Sequence, residues 1–117
     1  MKIEDRVLSL LSNYRLNKRK IDILTYEMGK SESSSDSYKR LDEQLKVLQA
    51  NHDQLLFYLS CLDTMDQDIL RMKYLEGIST KEIAAKLNVT TRTIFNHHKK
   101  AVDHLSELYQ YVSNNID

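Results

Sequence analysis

Glycine occupies only two positions of the sequence, Gly29 and Gly77, and proline is absent. Since these two residue types interrupt helices most strongly, a chain of 117 residues with so few of them favours long helices that end near positions 29 and 77. Apolar residues recur at helical spacing along most of the chain, and no alternating strand pattern is sustained. The sequence therefore predicts an all-α fold.

The second glycine lies between two helical patterns. Gly77 ends a pattern that begins at Thr64, because glycine adopts the left-handed backbone of a helix end at little cost. Ser79 and Glu82 then form a capping box, which is typical of a helix start. One helix is thus predicted to end and another to begin within three residues.

A further turn follows the short second helix. Asn88 suits the left-handed residue that ends this helix, and Thr90 is a good N-cap for a third one. The inner side of the third helix carries Ile94, His98, Ala101, Val102 and Leu105. Two helices joined by a tight turn predict a helix-turn-helix.

The outer face of the third helix is polar and basic. It carries Arg92, Phe95, Asn96, Lys99 and Asp103 at three- and four-residue spacing. The whole chain has 17 basic and 17 acidic residues, so its net charge gives no signal for nucleic acid. Residues 71–100, however, contain seven Lys or Arg against two acids, and residues 101–117 contain three acids and no Lys or Arg. Positive charge is therefore concentrated on the predicted helix-turn-helix, as expected for a DNA-contacting surface.

Residues 62–105 resemble the helix-turn-helix shared by region 4 of bacterial sigma factors and by LuxR-type response regulators. The LuxR-like matches are Leu62, Gly77, Ser79, Lys81, Glu82, Ile83, Ala84, Leu87, Thr93, Ile94, Asn96 and His97. The sigma-like matches are Leu62, Ile69, Leu70, Tyr74, Glu82, Ile83, Ala84, Leu87, Ile94, Lys99, Ala101 and Leu105. The resemblance implies DNA binding and does not choose between the two families.

The resemblance also implies which side chains contact DNA. Base-contacting positions of the families correspond to Thr91, Arg92, Phe95, Asn96 and Lys99, nearly the set that the helical projection gives. With flanking positions included, the predicted DNA contacts are Lys81, Thr90, Thr91, Arg92, Thr93, Phe95, Asn96, His97, Lys99 and Lys100. Thr91, Phe95 and Asn96 stand where sigma region 4 has charged or glutamine side chains, so the usual promoter hexamer is not an expected target.

Residues 1–62 carry two heptad series, which predict a coiled-coil-like antiparallel hairpin. Its helices are expected at about 3–28 and 37–61, with a Ser-rich loop at 29–36 in which Gly29 ends the first helix. This register places Tyr14 near His52, where the two side chains can share a hydrogen bond. Asn17 has no partner in the hairpin and is expected either to pair across a second chain or to face solvent. The basic run at residues 15–20 is interpreted as a solvated helix face, with DNA or an acidic partner as the alternative. We expect residues 1–62 to mediate oligomerisation or partner binding, and residues 63–117 to bind DNA.

This layout resembles small phage late-transcription regulators of the ArpU and RinA kind. For residues 1–62 the resemblance rests on architecture and not on identities. It implies activation of phage or prophage genes at promoters, with host RNA polymerase as a second partner. The alternative is an adaptor that binds polymerase or another regulator through a sigma-like surface without binding DNA.

The third helix, which is the recognition helix of the predicted helix-turn-helix, continues its apolar stripe beyond that motif. The stripe runs through Leu105, Leu108, Tyr109 and Val112. This stripe is expected to pack either on the hairpin or on a second copy of the chain. A homodimer is the favoured prediction, with half-sites about 34 Å apart.

Other function classes find little support in the sequence. Cys61 is a lone cysteine, and His97, His98 and His104 lack the pattern of a metal site, so neither catalysis nor a metal or other cofactor is expected. The chain has no apolar run of 18 residues and no signal peptide at its start, so a cytoplasmic protein without a membrane partner is expected.

Overall fold

A computed structural model describes residues 2–116 of the protein. These residues form six α-helices, and no β-strand is found among them. The helices are α1 (Ile3–Ser12), α2 (Tyr14–Lys30), α3 (Asp36–Ser60), α4 (Thr64–Leu70), α5 (Thr80–Leu87) and α6 (Thr91–Ile116). A π-helical turn, Arg71–Leu75, prolongs α4. The predicted all-α fold is confirmed.

The first predicted helix is interrupted, so the expectation of one helix over residues 3–28 is wrong. The chain leaves helical geometry at Asn13, where φ is −93° and ψ is 3°, and α2 then starts at Tyr14. Ser12 and Asn13 are adjacent poor helix formers, because their side chains compete for backbone hydrogen bonds. The break lets α1 bury Val7 and Leu11 against α6, while α2 runs along α3.

The connection between α2 and α3 is shorter than predicted. Helix α2 continues through Gly29, which has no atom near its missing Cβ, and ends at Lys30. Ser35 caps α3 by accepting a hydrogen bond from the Tyr38 backbone N–H at 3.1 Å. The predicted loop at 29–36 is therefore reduced to residues 31–35.

Helices α2 and α3 pack against each other and are here called the α2–α3 pair. The start of α2 lies beside the later half of α3, where the rings of Tyr14 and His52 stack with centroids 4.7 Å apart. Ring stacking replaces the hydrogen bond expected between these two side chains. Asn17 is half-buried between the helices, near Asn51 and His52.

One apolar cluster joins the beginning, middle and end of the chain. It consists of Val7, Leu11, Leu55, Leu59, Leu62, Leu70, Ala101, Val102, Leu105 and Tyr109. Helix α1 and the end of α3 thus cover the inner side of α6, including the Leu105 and Tyr109 part of its terminal stripe. A second cluster, Ile69, Ile83, Ala84 and Ile94, lies between α4, α5 and the start of α6. The two clusters hold α6 along its inner side and leave its first turns exposed on the other side.

Candidate nucleic-acid interface

The turn before α5 is built around Gly77. Within the π-helical turn the Glu76 N–H donates to the Arg71 carbonyl at 3.0 Å, and the Ile78 N–H donates to the Met72 carbonyl at 2.9 Å. Gly77 has φ +73°, a left-handed backbone that favours glycine. The predicted helix end at Gly77 is confirmed, and the guanidinium of Arg15 occupies the space where a Cβ at this position would lie.

Helix α5 begins and ends at the predicted residues. The Ser79 hydroxyl oxygen accepts a hydrogen bond from the Glu82 N–H at 3.2 Å, and the same hydroxyl donates to the Glu82 carboxylate Oε1 at 3.2 Å. Asn88 ends the helix in the left-handed region, with φ 56° and ψ 46°. These local contacts fix the angle at which the chain enters the next helix.

Helix α6 starts at the predicted cap. Thr90 Oγ1 accepts from the Thr93 N–H at 3.1 Å, and the two threonine hydroxyls lie 3.0 Å apart. Ile94 is 1% exposed in the second apolar cluster and anchors the first turn. Two of the three threonines predicted to contact DNA, Thr90 and Thr93, therefore take part in the cap that orients this helix.

The outer side of the first three turns of α6 is exposed. It presents Thr91, Arg92, Phe95, Asn96 and Lys99, none of which is buried by the rest of the chain. Phe95 is 62% exposed, so its apolar ring is open to solvent. Lys81 lies exposed in the first turn of α5. The face combines a guanidinium, an amide, an ammonium and an apolar ring, which are the groups that contact base edges and phosphates.

His97 and Lys100 differ from the other predicted contacts because they face α4. His97 Nδ1 lies 2.7 Å from Asp66 Oδ1, and Lys100 Nζ lies 3.2 Å from Asp63 Oδ2. Lys100 Nζ is also 3.5 Å from Asp66 Oδ2, an ion-pair distance without hydrogen-bond geometry. The Asp63 and Asp66 carboxylates raise the pKa of the Lys100 ammonium. These two positions tie α6 to α4 and do not extend freely from the exposed face.

Asp66 is the residue that sequence reasoning missed. It is 0% exposed, although acidic side chains are rarely buried unless paired. The only sequence signal is the spacing of Asp63 and Asp66, which puts two acids on one face at the start of α4. Their partners lie more than 30 positions away, beyond the range of any local pattern.

His98 lies on the inner side of α6, as predicted from its spacing. Its Nε2 is 2.6 Å from the Tyr74 hydroxyl, which links α6 to the π-helical turn. Burial, with a smaller contribution from the Lys73 ammonium, lowers the pKa of His98, and burial raises the pKa of Tyr74. The histidine is therefore neutral near pH 7 and acts as a packing and hydrogen-bonding group.

The positive surface ends where α1 meets α6. Glu4 and Leu8 of α1 lie in the same groove as Lys99 and Asp103. Glu4 and Asp103 also lie near Glu107, one turn further along α6. Acidic side chains thus bound the exposed positive surface after Lys99, and the exposed Asp103 lies in this acidic region.

No group of three or more His, Cys, Asp or Glu residues suitable for a metal ion occurs within residues 2–116. Over the same residues, no helix is both long enough and apolar enough to cross a membrane.

Comparison with known families gives a match over the segment that carries this interface. The family model for sigma-70, region 4, matches residues 52–105, from the later part of α3 to the middle of α6. No curated protein and no solved structure matches the chain. The match covers α4, α5 and the exposed part of α6. Sigma-70 region 4 is a family of DNA-binding domains that act in transcription. The segment that carries the candidate nucleic-acid interface is a helix-turn-helix similar to sigma-70 region 4.

Proposed function

We propose that the protein is a sequence-specific transcription regulator that places the first turns of α6 in the major groove of double-stranded DNA. The observation that supports this most is the exposed face of α6, held by a buried opposite face. An α-helix fits the major groove, where every base pair presents a distinct pattern of donors and acceptors. A fixed helix with a bare polar face is suited to that recognition.

The exposed side chains divide into two roles. Arg92 can donate two hydrogen bonds to a guanine edge, Asn96 can pair with an adenine edge, and Phe95 can contact a thymine methyl. Lys81 and Lys99 are suited to phosphates, as are the hydroxyls of Thr91 and other exposed cap residues. Specificity would then depend on Arg92, Phe95 and Asn96, and general affinity on the lysines.

A homodimer accounts best for the α2–α3 pair. A lone pair of helices leaves much of its apolar surface open, and here Leu16, Ile23 and Val47 are 47%, 61% and 62% exposed. Leu41 and Leu45 on the inner face of α3 are only half-buried. A second α2–α3 pair would cover this surface, in keeping with residues 1–62 as the oligomerisation part.

We further propose promoters as the targets, with host RNA polymerase as a second partner and a phage or prophage origin. These proposals are supported by the similarity of residues 52–105 to sigma-70 region 4 and by the resemblance to phage late regulators. The competing function is an adaptor that contacts polymerase without DNA.

Selection of bound fragments from a random duplex library, followed by sequencing, tests the function. We expect one enriched motif a few base pairs long, repeated as a palindrome if the protein binds as a dimer. Failure to enrich any motif, together with no duplex binding at low salt and normal capture of purified polymerase, would establish the adaptor instead.

A further inference from the structure

We propose that α2 carries a second DNA-contacting surface, formed by Arg15, Lys18 and Arg19, which binds the phosphate backbone beside the site contacted by α6. We call these three residues the α2 basic patch. The proposal rests on the proposed function, since it concerns the same duplex, and it extends the interface to a helix outside the segment similar to sigma-70 region 4.

The position of Arg15 ties the patch to the helix-turn-helix. The Arg15 guanidinium lies directly over Gly77, and α2 packs against the π-helical turn that leads to it. Gly77 is two residues before Ser79, the N-cap of α5. The patch therefore begins beside the end of α5 that carries Lys81, a predicted phosphate contact.

The helical positions of the three residues place them together. The half-buried and buried positions of α2 are Tyr14, Asn17, Ile21, Leu24 and Met28, and Tyr14 and Asn17 line a cavity together with residues of α3, so these positions mark the side that faces α3. At 100° per residue, positions 15, 18 and 19 share an arc of about 100° that starts beside this packed side. Since Arg15 points to the helix-turn-helix, the neighbouring Lys18 and Arg19 lie on the same flank, one turn further along α2.

The charges of the patch are available for a ligand. Arg15, Lys18 and Arg19 are all exposed, and within residues 2–116 none of them lies within ion-pair distance of a carboxylate. Asp22 on the same arc and Glu76 beside Gly77 offset part of this charge. Lys73 in the π-helical turn and Lys81 in the first turn of α5 add positive charge on the neighbouring elements.

Continuity with the proposed interface favours DNA as the occupant. The duplex is a line of phosphates, and a backbone strand that passes the start of α5 continues past Gly77 toward the patch. Lys and Arg that neutralise phosphates release counterions, so their contribution is seen in the salt dependence of binding. An acidic protein is the other partner that such a patch could bind, and the experiment below separates the two.

The test compares two double variants that each remove two positive charges from the α2–α3 pair. Lys18→Gln with Arg19→Gln removes the outer part of the patch and leaves Arg15 on Gly77. Lys39→Gln with Arg40→Gln is the matched control, because both side chains are exposed in the first turns of α3, at the opposite end of the pair. Equal thermal stability of the two variants checks that both are folded.

Binding is measured against salt concentration with a selected duplex that has flanking base pairs, and again with the flanks removed. For the patch variant on the flanked duplex, the slope of log Kobs against log salt should become shallower by about 1.8, and affinity near 0.1 M salt should fall roughly ten- to a hundredfold. The control variant should match the wild type, and the difference should disappear on the short duplex.

Two results would overturn the proposal. A patch variant with the wild-type salt slope on the flanked duplex would assign the patch to an acidic protein or to solvent. Equal losses in both variants would mean that only net charge matters. If the wild type binds no duplex at all, the proposed function fails first, and the two failures are thus distinguished.

Discussion

The fully buried carboxylate of Asp66 and the imidazole of His97 join α4 to the recognition helix through a 2.7 Å hydrogen bond. A carboxylate can only accept, so Nδ1 of His97 carries the proton. Lys100, one turn further along α6, adds a second cation beside the same acid. The pair therefore fixes α6 at the level of the residues proposed to contact bases.

His97→Ala and Asp66→Asn should lower the free energy of unfolding by different amounts. His97→Ala leaves a buried carboxylate with Lys100 alone, and should lower the free energy of unfolding by about 2 to 3 kcal/mol. Asp66→Asn keeps an acceptor for His97 without a buried charge, and should cost only about 1 kcal/mol. Urea denaturation of both variants checks the order. A larger loss for Asp66→Asn would contradict this account of the pair.

Gly77→Ala should be destabilising for two separable reasons. Its left-handed backbone costs an alanine roughly 1 to 2 kcal/mol, and the new Cβ must displace the Arg15 guanidinium. Asn88→Ala is the control for the backbone conformation, because Asn88 lies in the same left-handed region and already carries a Cβ. In an Arg15→Ala background, Gly77→Ala should cost only the backbone contribution of roughly 1 to 2 kcal/mol. Strict additivity in this double-mutant cycle would show that Arg15 and Gly77 are not coupled.

Stability should fall on mild acidification. Burial lowers the pKa of His98, and burial together with Lys18 lowers the pKa of His52, both from an ordinary value of 6.5. The unfolded chain then binds more protons than the folded one below pH 6.5, so stability rises with pH in that window and is lost as pH falls toward the folded-state pKa.

Urea unfolding of the wild type and His98→Gln between pH 5 and 8 isolates this effect, since groups common to both proteins cancel. The stability advantage of the wild type should shrink as pH falls below about 6.5. An advantage that stays constant over this range would show that His98 is not held neutral by the fold.

Tyr109→Phe should raise the free energy of unfolding. The Tyr109 ring packs edge-on against Tyr58 with centroids 4.8 Å apart, but its hydroxyl oxygen is buried and has no hydrogen-bond partner among the described residues. Burial raises the pKa of this phenol to about 12. Removing the hydroxyl keeps the ring contact and removes an unpaired polar group, so a gain of about 1 kcal/mol is expected from thermal unfolding. A loss of stability would reveal a partner for the hydroxyl.

Arg92→Ala and Lys99→Ala should weaken DNA binding in different ways. Arg92→Ala should cost about 1 to 3 kcal/mol on the selected site and little on random duplex, because its target is a base edge. Lys99→Ala should weaken both duplexes alike and reduce the salt slope by about 1. Fluorescence anisotropy at several salt concentrations measures both. Parallel losses on specific and random DNA for both variants would reject this division of roles.

The sequence predicted best the features that depend on neighbours within one turn. Gly77, Ser79, Asn88 and Thr90 each set a backbone angle or a cap through contacts at most a few residues away, and all four do so in the structure. The inner side of α6 followed from its period in the same way, because Ile94 and its helical neighbours must share one face.

Features that depend on contacts between distant segments could not be predicted from local sequence patterns. The heptad series continues through Asn13, so nothing in its spacing shows that α1 leaves α2 to cover α6. The burial of Asp66 depends on His97, which is 31 positions away. The inward direction of His97 and Lys100 follows from that same pairing and not from their place on the helix.

Because the helix is interrupted at Asn13, α1 and α2 pack against different helices, although only one residue separates them. Helix α1 is seated on α6, while α2 is paired with α3 and braced on Gly77 through Arg15. A rotation of the α2–α3 pair would therefore be transmitted through α1 to α6, the helix proposed to enter the major groove, because the single connecting residue leaves little slack. A partner that binds the α2–α3 pair, either a second copy of the chain or another protein, would therefore change the orientation of α6 and with it the proposed base contacts.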